Sequence, residues 1–193
     1  MSVVIINYNA GNVQSVTYAL ERLGVTPVLS DEPEVIRSAD HVIFPGVGEA
    51  STAMNFLKER GLDQVIKSLK QPVFGVCLGL QLMCRHSEEN NTDCLGIFDI
   101  GVKKFEPKLK VPQMGWNTLT QMNSPLFKGI NEESYVYFVH SYYAELSDQT
   151  IAQTDYVNPF SAALYKDNFY ALQAHPEKSG KVGAKILENF LTI

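Results

Sequence analysis

The 193-residue chain carries 16 Lys and Arg against 21 Asp and Glu, a formal net charge of −5, with 45% hydrophobic and 19% charged residues. A chain of this length buries roughly 70% of the surface its unfolded form exposes, so it needs neither disulfides nor metal to hold a core, and disorder and a mini-protein scaffold are excluded. The acidic balance, without any block of like charge, argues against nucleic acid or an anionic membrane surface as a partner.

Met1–Asn7 lacks the basic region and small-residue cleavage site of a signal peptide and is too short to span a bilayer, so the expectation is a cytoplasmic protein. Val3–Ile6 is a continuous apolar run. Val13, Val16, Leu20 and Leu23 then recur at helical spacing up to Gly24, which reads as a strand followed by a helix. Further apolar runs fall at 25–29, at 41–44 ending on Pro45-Gly46, and at 73–76, with helical stretches at 51–60 and 78–86. Strands apolar on both faces and separated by helices predict a parallel sheet covered on both sides. Beyond about residue 95, period-two alternation at 97–105, 116–121, 135–139, 161–166 and 169–173 predicts mostly antiparallel strands. Val182, Ile186, Leu187 and Phe190 predict an amphipathic closing helix. No linker, repeat or low-complexity tract interrupts the chain, so residues 1–193 read as a single α/β domain whose two halves share one sheet.

Gly75-Val76-Cys77-Leu78-Gly79 follows the fourth apolar run and opens a helix, a thiol version of the Gly-x-Ser-x-Gly nucleophile elbow. Such a sharp turn crowds the backbone on either side of the nucleophile, which calls for glycine at 75 and 79. It leaves Cys77 exposed at a helix N-terminus, where the dipole and unpaired N–H groups favour a thiolate, and points the Leu78 N–H at the carbonyl oxygen under attack. A free cysteine is commonly no more than a small buried apolar residue; the flanking glycines set Cys77 apart, whereas Cys84 and Cys94 lack them and read as structural. None of the three falls in a C-x-x-C or at zinc-ligand spacing, so no metal or cofactor is expected.

A thiolate needs a base, and the candidates are His41, His86, His140 and His175. Only His175 reads as having a carboxylate placed to orient it. In Gln173-Ala174-His175-Pro176-Glu177, the proline biases His175 toward an extended backbone, so that His175 and Glu177 can share one side. Glu177 then accepts the Nδ1–H and Nε2 faces Cys77. Pro45-Gly46-Val47-Gly48 caps the third strand at the C-terminal edge of the sheet, where open α/β sheets bind ligands and where glycines let backbone N–H groups approach an oxyanion.

Together these segments resemble the class I, or triad, glutamine amidotransferases over essentially the whole chain. Cys77-Leu78-Gly79-Leu80-Gln81 and His175-Pro176-Glu177-Lys178 are general to that family. Asn7 to Asn12 and Phe138 to Tyr143 add to the resemblance, and Pro45 to Gly48 and Pro112 to Asn117 narrow it to the branch that serves a cyclase in histidine biosynthesis. The resemblance implies an open, mostly parallel sheet flanked by helices, flavodoxin-like, with an antiparallel C-terminal extension. It implies that Cys77 attacks the side-chain amide of L-glutamine, that His175 protonates the departing ammonia, that Glu177 orients His175, and that water hydrolyses the glutamyl thioester. By position, Gln81, Glu89, Ser141 and Tyr142 would hold the amino and carboxylate groups of glutamine. Gly46, Val47, Gly48 and Leu78 would form the oxyanion hole, and Asn12, Trp116, Tyr137 and Lys178 would face the partner. The chain has Asn7 where the family commonly has Asp, and Asn9-Ala10 where Gly-x is common.

Nothing in the chain resembles an acceptor site: it has no P-loop, no Gly-x-Gly-x-x-Gly and no basic cluster. The resemblance implies a heterodimer with a separate (β/α)₈ cyclase that uses the ammonia to make imidazole glycerol phosphate and AICAR. Ammonia protonates in neutral water, so it would travel a protected route. The two glycines around Val47 suggest a peptide bond with two orientations that the partner could bias. Competing readings are a different triad glutaminase such as that of pyridoxal phosphate synthase, a partner-free γ-glutamyl hydrolase, a catalytically silent regulatory chain, and a redox or peptidase relative. The Pro45–Gly48 and Pro112–Asn117 segments argue against the first two, and the intact Cys77, His175 and Glu177 against the silent chain. Gln81 with Ser141-Tyr142 gives the last no particular support.

Overall fold

The computed structural model describes residues 1–8 and 12–193; Asn9, Ala10 and Gly11 of the N-terminal motif lie outside the described residues. The first half runs β1 (Val3–Ile6), α1 (Val13–Glu21), β2 (Val28–Ser30), α2 (Pro33–Ser38), β3 (His41–Phe44), α3 (Ala50–Glu59), α4 (Leu62–Ser68), β4 (Val73–Val76) and α5 (Leu78–Met83). Three short strands follow, β5 (His86–Ser87), β6 (Thr92–Asp93) and β7 (Gly101–Lys104). The remainder holds β8 (Gln113–Leu119), β9 (Ser134–His140), β10 (Tyr142–Ala144), β11 (Thr150–Asp155), β12 (Pro159–Lys166), β13 (Phe169–Leu172) and α6 (Gly180–Phe190).

Among the described residues one sheet holds the order β2-β1-β3-β4-β13-β12-β10-β7-β5-β6, with β11 paired to β12. β1, β2, β3, β4 and β13 are mutually parallel along this path. β1, β3 and β4 are buried along their whole length, as continuous Val, Ile and Phe runs require. β2 departs from that reading: it is the edge strand, and Val28 and Leu29 are exposed. The two halves of the chain meet where β13 lies parallel to β4 and antiparallel to β12. That junction places the end of β13 beside the end of β4 and sets the His175 segment against the elbow.

The antiparallel half differs in detail from the sequence reading. The 97–105 stretch is a strand only over Gly101–Lys104, because Ile97 and Phe98 instead donate their N–H groups to the Met83 carbonyl at the end of α5. The 78–86 helix stops at Met83, since Cys84 is fully extended. β8 starts three residues before the predicted strand and pairs with β9 in a separate two-stranded sheet, so not every strand joins the shared one. α2, α4, β10 and β11 were not predicted; each is short or half-polar and takes its form from the elements it packs on.

The core divides into two clusters on the two faces of the sheet. α6 closes one face: Phe190 stacks on Phe74 with ring centroids 5.0 Å apart and meets the His41 ring edge-on at 5.3 Å. Burying such a phenylalanine contributes about 2 kcal/mol. At the other end of α6, a Cβ on Gly183 would lie 1.9 Å from the Pro176 carbonyl oxygen, so only glycine lets the helix seat on the turn that carries His175 and Glu177. Among the described residues no helix is long and apolar enough to cross a membrane.

Candidate active site

The elbow forms where β4 gives way to α5. Cys77 sits between them at φ 52° and ψ −105°, a left-handed conformation that strains a residue bearing a Cβ. The glycines explain how the chain tolerates it. A Cβ on Gly79 would lie 2.1 Å from the Phe44 carbonyl oxygen, and one on Gly75 would lie 2.8 Å from Met83 Sδ. The Cys77 N–H donates to the Leu172 carbonyl at 2.8 Å, which ties Cys77 to the end of β13 and leaves it buried rather than exposed as the elbow pattern predicts.

His175 and Glu177 follow β13 directly. The His175 backbone is extended, at φ −97° and ψ 97°, and residues 176–178 form one 3₁₀ turn that brings the Glu177 carboxylate to Nδ1 at 2.8 Å. Both side chains are almost wholly buried. Burial alone would lower the His175 pKa, but hydrogen bonding and charge from Cys77 and then Glu177 outweigh it and raise the pKa above the ordinary imidazole value. Among the described residues Nε2 is buried without a hydrogen-bond partner, which leaves it for the neighbouring Cys77 thiol.

A cavity of about 310 Å³ opens over Cys77. Val47, Gly48, Cys77 and Leu78 line one side, and Gln81, Glu89, Ser141 and Tyr142 line the other, so eight of the residues predicted from sequence meet around one space. Glu89 is anchored there by accepting the Ala50 N–H at the start of α3, at 2.8 Å. Burial raises its pKa, the Ala50 bond partly offsetting that and the neighbouring Glu49 adding to it. Gln81 is held by the Tyr142 carbonyl at 2.9 Å and by Gln173 at 3.1 Å.

Gly46 is pinned from beneath: a Cβ there would lie 2.5 Å from the Tyr8 hydroxyl and 2.7 Å from Leu78 Cβ. The Tyr8 hydroxyl itself donates to the Pro45 carbonyl. One prediction needs correcting at this loop. The Leu78 N–H does not stand free for an incoming oxyanion; it donates to the Gly46 carbonyl at 3.2 Å, because that peptide turns its oxygen toward the elbow. Gly48, at φ 130°, occupies a region open to glycine, so the loop has the backbone freedom to turn.

The other histidines take different roles. His41 is buried against Phe190, and His140 is caged by Phe105, Phe138 and Phe160. His86 corrects the sequence reading, because it too has a carboxylate: Asp93 lies opposite it across the β5–β6 pairing, 3.1 Å from Nδ1. That pair is partly exposed and does not line the cavity, so fold position rather than carboxylate proximity separates His175 from it. Cys84 is buried and Cys94 half-buried, and burial pushes both thiols up, Cys94 to about 12.

Of the residues read as partner-facing, Trp116 and Tyr137 pair across β8–β9 with rings 5.9 Å apart. With Met114 and Tyr135 they form an exposed apolar face that runs up to Val139 on the cavity rim. Lys178 is exposed and Asn12 half-exposed. Tyr137 is also tied to the His175 segment, its carbonyl accepting the His175 N–H at 2.9 Å and its own N–H donating to Ser179 Oγ at 2.9 Å. Sequence reasoning assigned no role to Gln173, Gln113 or His140. Strand alternation, which puts 173 and 175 on one face, was the signal for the first; nothing local marked the other two.

Comparison with known proteins identifies the family. The family described as "Glutamine amidotransferase class-I" matches residues 4–193. The chain belongs to that family and is a glutamine amidotransferase. It is 62% identical to the imidazole glycerol phosphate synthase subunit HisH of Bacteroides thetaiotaomicron, over all of both chains. It is 49% identical to the protein of the same name from Yersinia pseudotuberculosis, over 99% of each chain. Among solved structures, a glutamine amidotransferase from Thermotoga maritima shares the fold with a TM-score of 0.63 and 15% identity, over 100% of this chain and 83% of that one. PurLQS from Thermotoga maritima does so with a TM-score of 0.76 and 16% identity, over 99% and 97%.

Proposed function

We propose that this chain is the glutaminase subunit of a cytoplasmic imidazole glycerol phosphate synthase, working as a heterodimer with a (β/α)₈ cyclase chain. The observation that carries the reading is the strained Cys77 elbow, which lines a glutamine-sized cavity and is backed by the buried His175–Glu177 pair. Cys77 passes its thiol proton to His175 Nε2 as Sγ attacks the glutamine Cδ, and the negative charge passes to the amide oxygen. His175 Nε2 gives a proton to the departing nitrogen, releasing ammonia and leaving a glutamyl thioester. The same nitrogen then takes a proton from water, whose oxygen attacks the thioester to release glutamate and restore the thiol. Glu177 holds the Nδ1–H and balances the imidazolium as it forms.

Glu89 and Gln81 supply acceptors for the substrate amino group, with Ser141 and Tyr142 completing the pocket. An oxyanion hole requires the Gly46–Val47 peptide to turn: the turn withdraws the Gly46 carbonyl from Leu78 and offers the Val47 and Leu78 N–H groups together. The apolar β8–β9 face bearing Trp116 and Tyr137 suits a docking partner, with Asn12 and Lys178 at its margin, and its backbone bonds to His175 and Ser179 couple docking to the triad. Ammonia passes to the cyclase, where it completes imidazole glycerol phosphate and AICAR. The test is glutamate release from glutamine by the chain alone, with a cyclase chain, and with a cyclase chain carrying a nucleotide ligand. Release confined to the loaded complex and absent in Cys77→Ala is expected. Equal release by the isolated chain would refute the gated reading.

A further inference from the structure

We propose that Gln173 is a catalytic residue: its side-chain amide donates a hydrogen bond to the Cys77 thiolate, and through the same amide the ionised nucleophile fixes which end of Gln81 faces the substrate. This rests on Cys77 being the nucleophile, as argued above. Gln173 is completely buried at the end of β13, its own N–H bound to the Ala162 carbonyl at 2.8 Å. Its Nε2 lies 3.6 Å from Cys77 Sγ, and its Oε1 accepts from Gln81 Nε2 at 3.1 Å. The second proton of Gln81 Nε2 goes to the Tyr142 carbonyl at 2.9 Å.

The polarity of this relay follows from its two ends. A thiolate and a carbonyl only accept. With sulfur charged, Gln173 has to present its NH₂ group to Cys77 and its oxygen to Gln81. Gln81 then spends both amide protons inside the protein and turns Oε1 to the cavity, an acceptor suited to the ammonium group of an amino-acid substrate and not to its carboxylate. A reversed Gln173 would set oxygen against the sulfur charge and NH₂ against NH₂. The nucleophile thus organises its own pocket, and the donor lowers the cost of ionising a thiol that is itself almost wholly buried.

The test reads the thiolate directly, without turnover. The full-length chain and the variants Gln173→Met and Gln173→Glu are alkylated with iodoacetamide across a pH series, with modification of Cys77 separated from that of Cys84 and Cys94 by peptide mass spectrometry. The other titratable groups around Cys77 are His175, Tyr8 and His140, with Glu89 across the cavity, and all are common to the three proteins. Loss of one donor to a charged group is expected to raise the Cys77 midpoint by about one pH unit in Gln173→Met, or about tenfold in rate below the midpoint. Gln173→Glu keeps size and shape and raises it further, because a carboxylate faces the sulfur; it carries the test if the Met variant does not fold by circular dichroism. Unchanged midpoints, with wild-type Cys77 still reacting ahead of Cys94, would overturn the role of Gln173 alone. Wild-type Cys77 reacting no faster than Cys94 would overturn the nucleophile reading itself.

Discussion

His140 offers the sharpest quantitative handle on how the pocket wall is held. Its Nδ1 lies 2.7 Å from the Tyr142 carbonyl and its Nε2 2.9 Å from Gln113 Oε1, inside an aromatic cage. A carbonyl only accepts, so Nδ1 carries the proton; a neutral ring then accepts at Nε2, which requires the Gln113 amide to be turned over so that its NH₂ group replaces Oε1 opposite the ring. Burial lowers the pKa from 6.5 to about 4, with the Tyr142 bond acting the other way and the His175 charge adding to the depression. The sign follows. Below pH 6.5 the unfolded chain binds a proton at this residue that the folded chain refuses, so stability falls as pH drops from 6.5 toward 4 and the loss is complete below about 4. At about 1.36 kcal/mol per pH unit, the drop from pH 7.5 to pH 5 removes about 2 kcal/mol through this group alone. Urea unfolding of the wild type and of His140→Gln at those two pH values measures it. His41, also depressed by burial, titrates in both proteins and cancels. The wild type should lose about 2 kcal/mol more than the variant over that interval. Equal losses would mean that His140 is not held neutral, and the Gln113–His140–Tyr142 arrangement would have to be abandoned.

Three further outcomes follow from the site. Gly79→Ala forces a Cβ to within 2.1 Å of the Phe44 carbonyl oxygen and should cost about 3 kcal/mol or more in urea unfolding, a loss under about 0.5 kcal/mol being incompatible with the elbow packing. Glu177→Gln should leave the fold intact by circular dichroism yet slow glutamate release in the loaded complex on the order of 10²-fold or more, since the imidazolium loses its countercharge; retention of full rate would remove Glu177 from the triad. Trp116→Ala should weaken binding to the cyclase chain by about 2 kcal/mol, about 30-fold in Kd by calorimetry, without changing the alkylation rate of Cys77 in the isolated chain. An unchanged Kd would move the interface off the β8–β9 face.

The glycine-flanked cysteine and the His-Pro-Glu segment were readable in one dimension because each makes a demand on local backbone that few residues meet. Cys77 needs a left-handed turn with no side chain at 75 or 79, and Pro176 needs an extended residue before it. The parallel strands were equally plain, since burial on both faces leaves only apolar residues along them. Short elements were not: β10, β11, α2 and α4 have little periodicity of their own and exist because neighbours supply hydrogen bonds and cover. The predicted Leu78 donor shows the same limit. Its place in the elbow is a local property, but its partner, the Gly46 carbonyl, comes from another loop.

Local chain chemistry therefore determined the elbow, the His175-Pro176-Glu177 turn and the strand–helix alternation, because backbone strain, proline restriction and burial on both faces all act within a few residues. Packing over long sequence separations alone decided that β13 lies beside β4, that His175 rather than the carboxylate-paired His86 reaches Cys77, and that Gln173 and Gln81 join in one relay across 92 positions. Hydrogen bonds of that reach become available only once the sheet has closed, and no local pattern in the chain encodes which buried amide will meet which thiol.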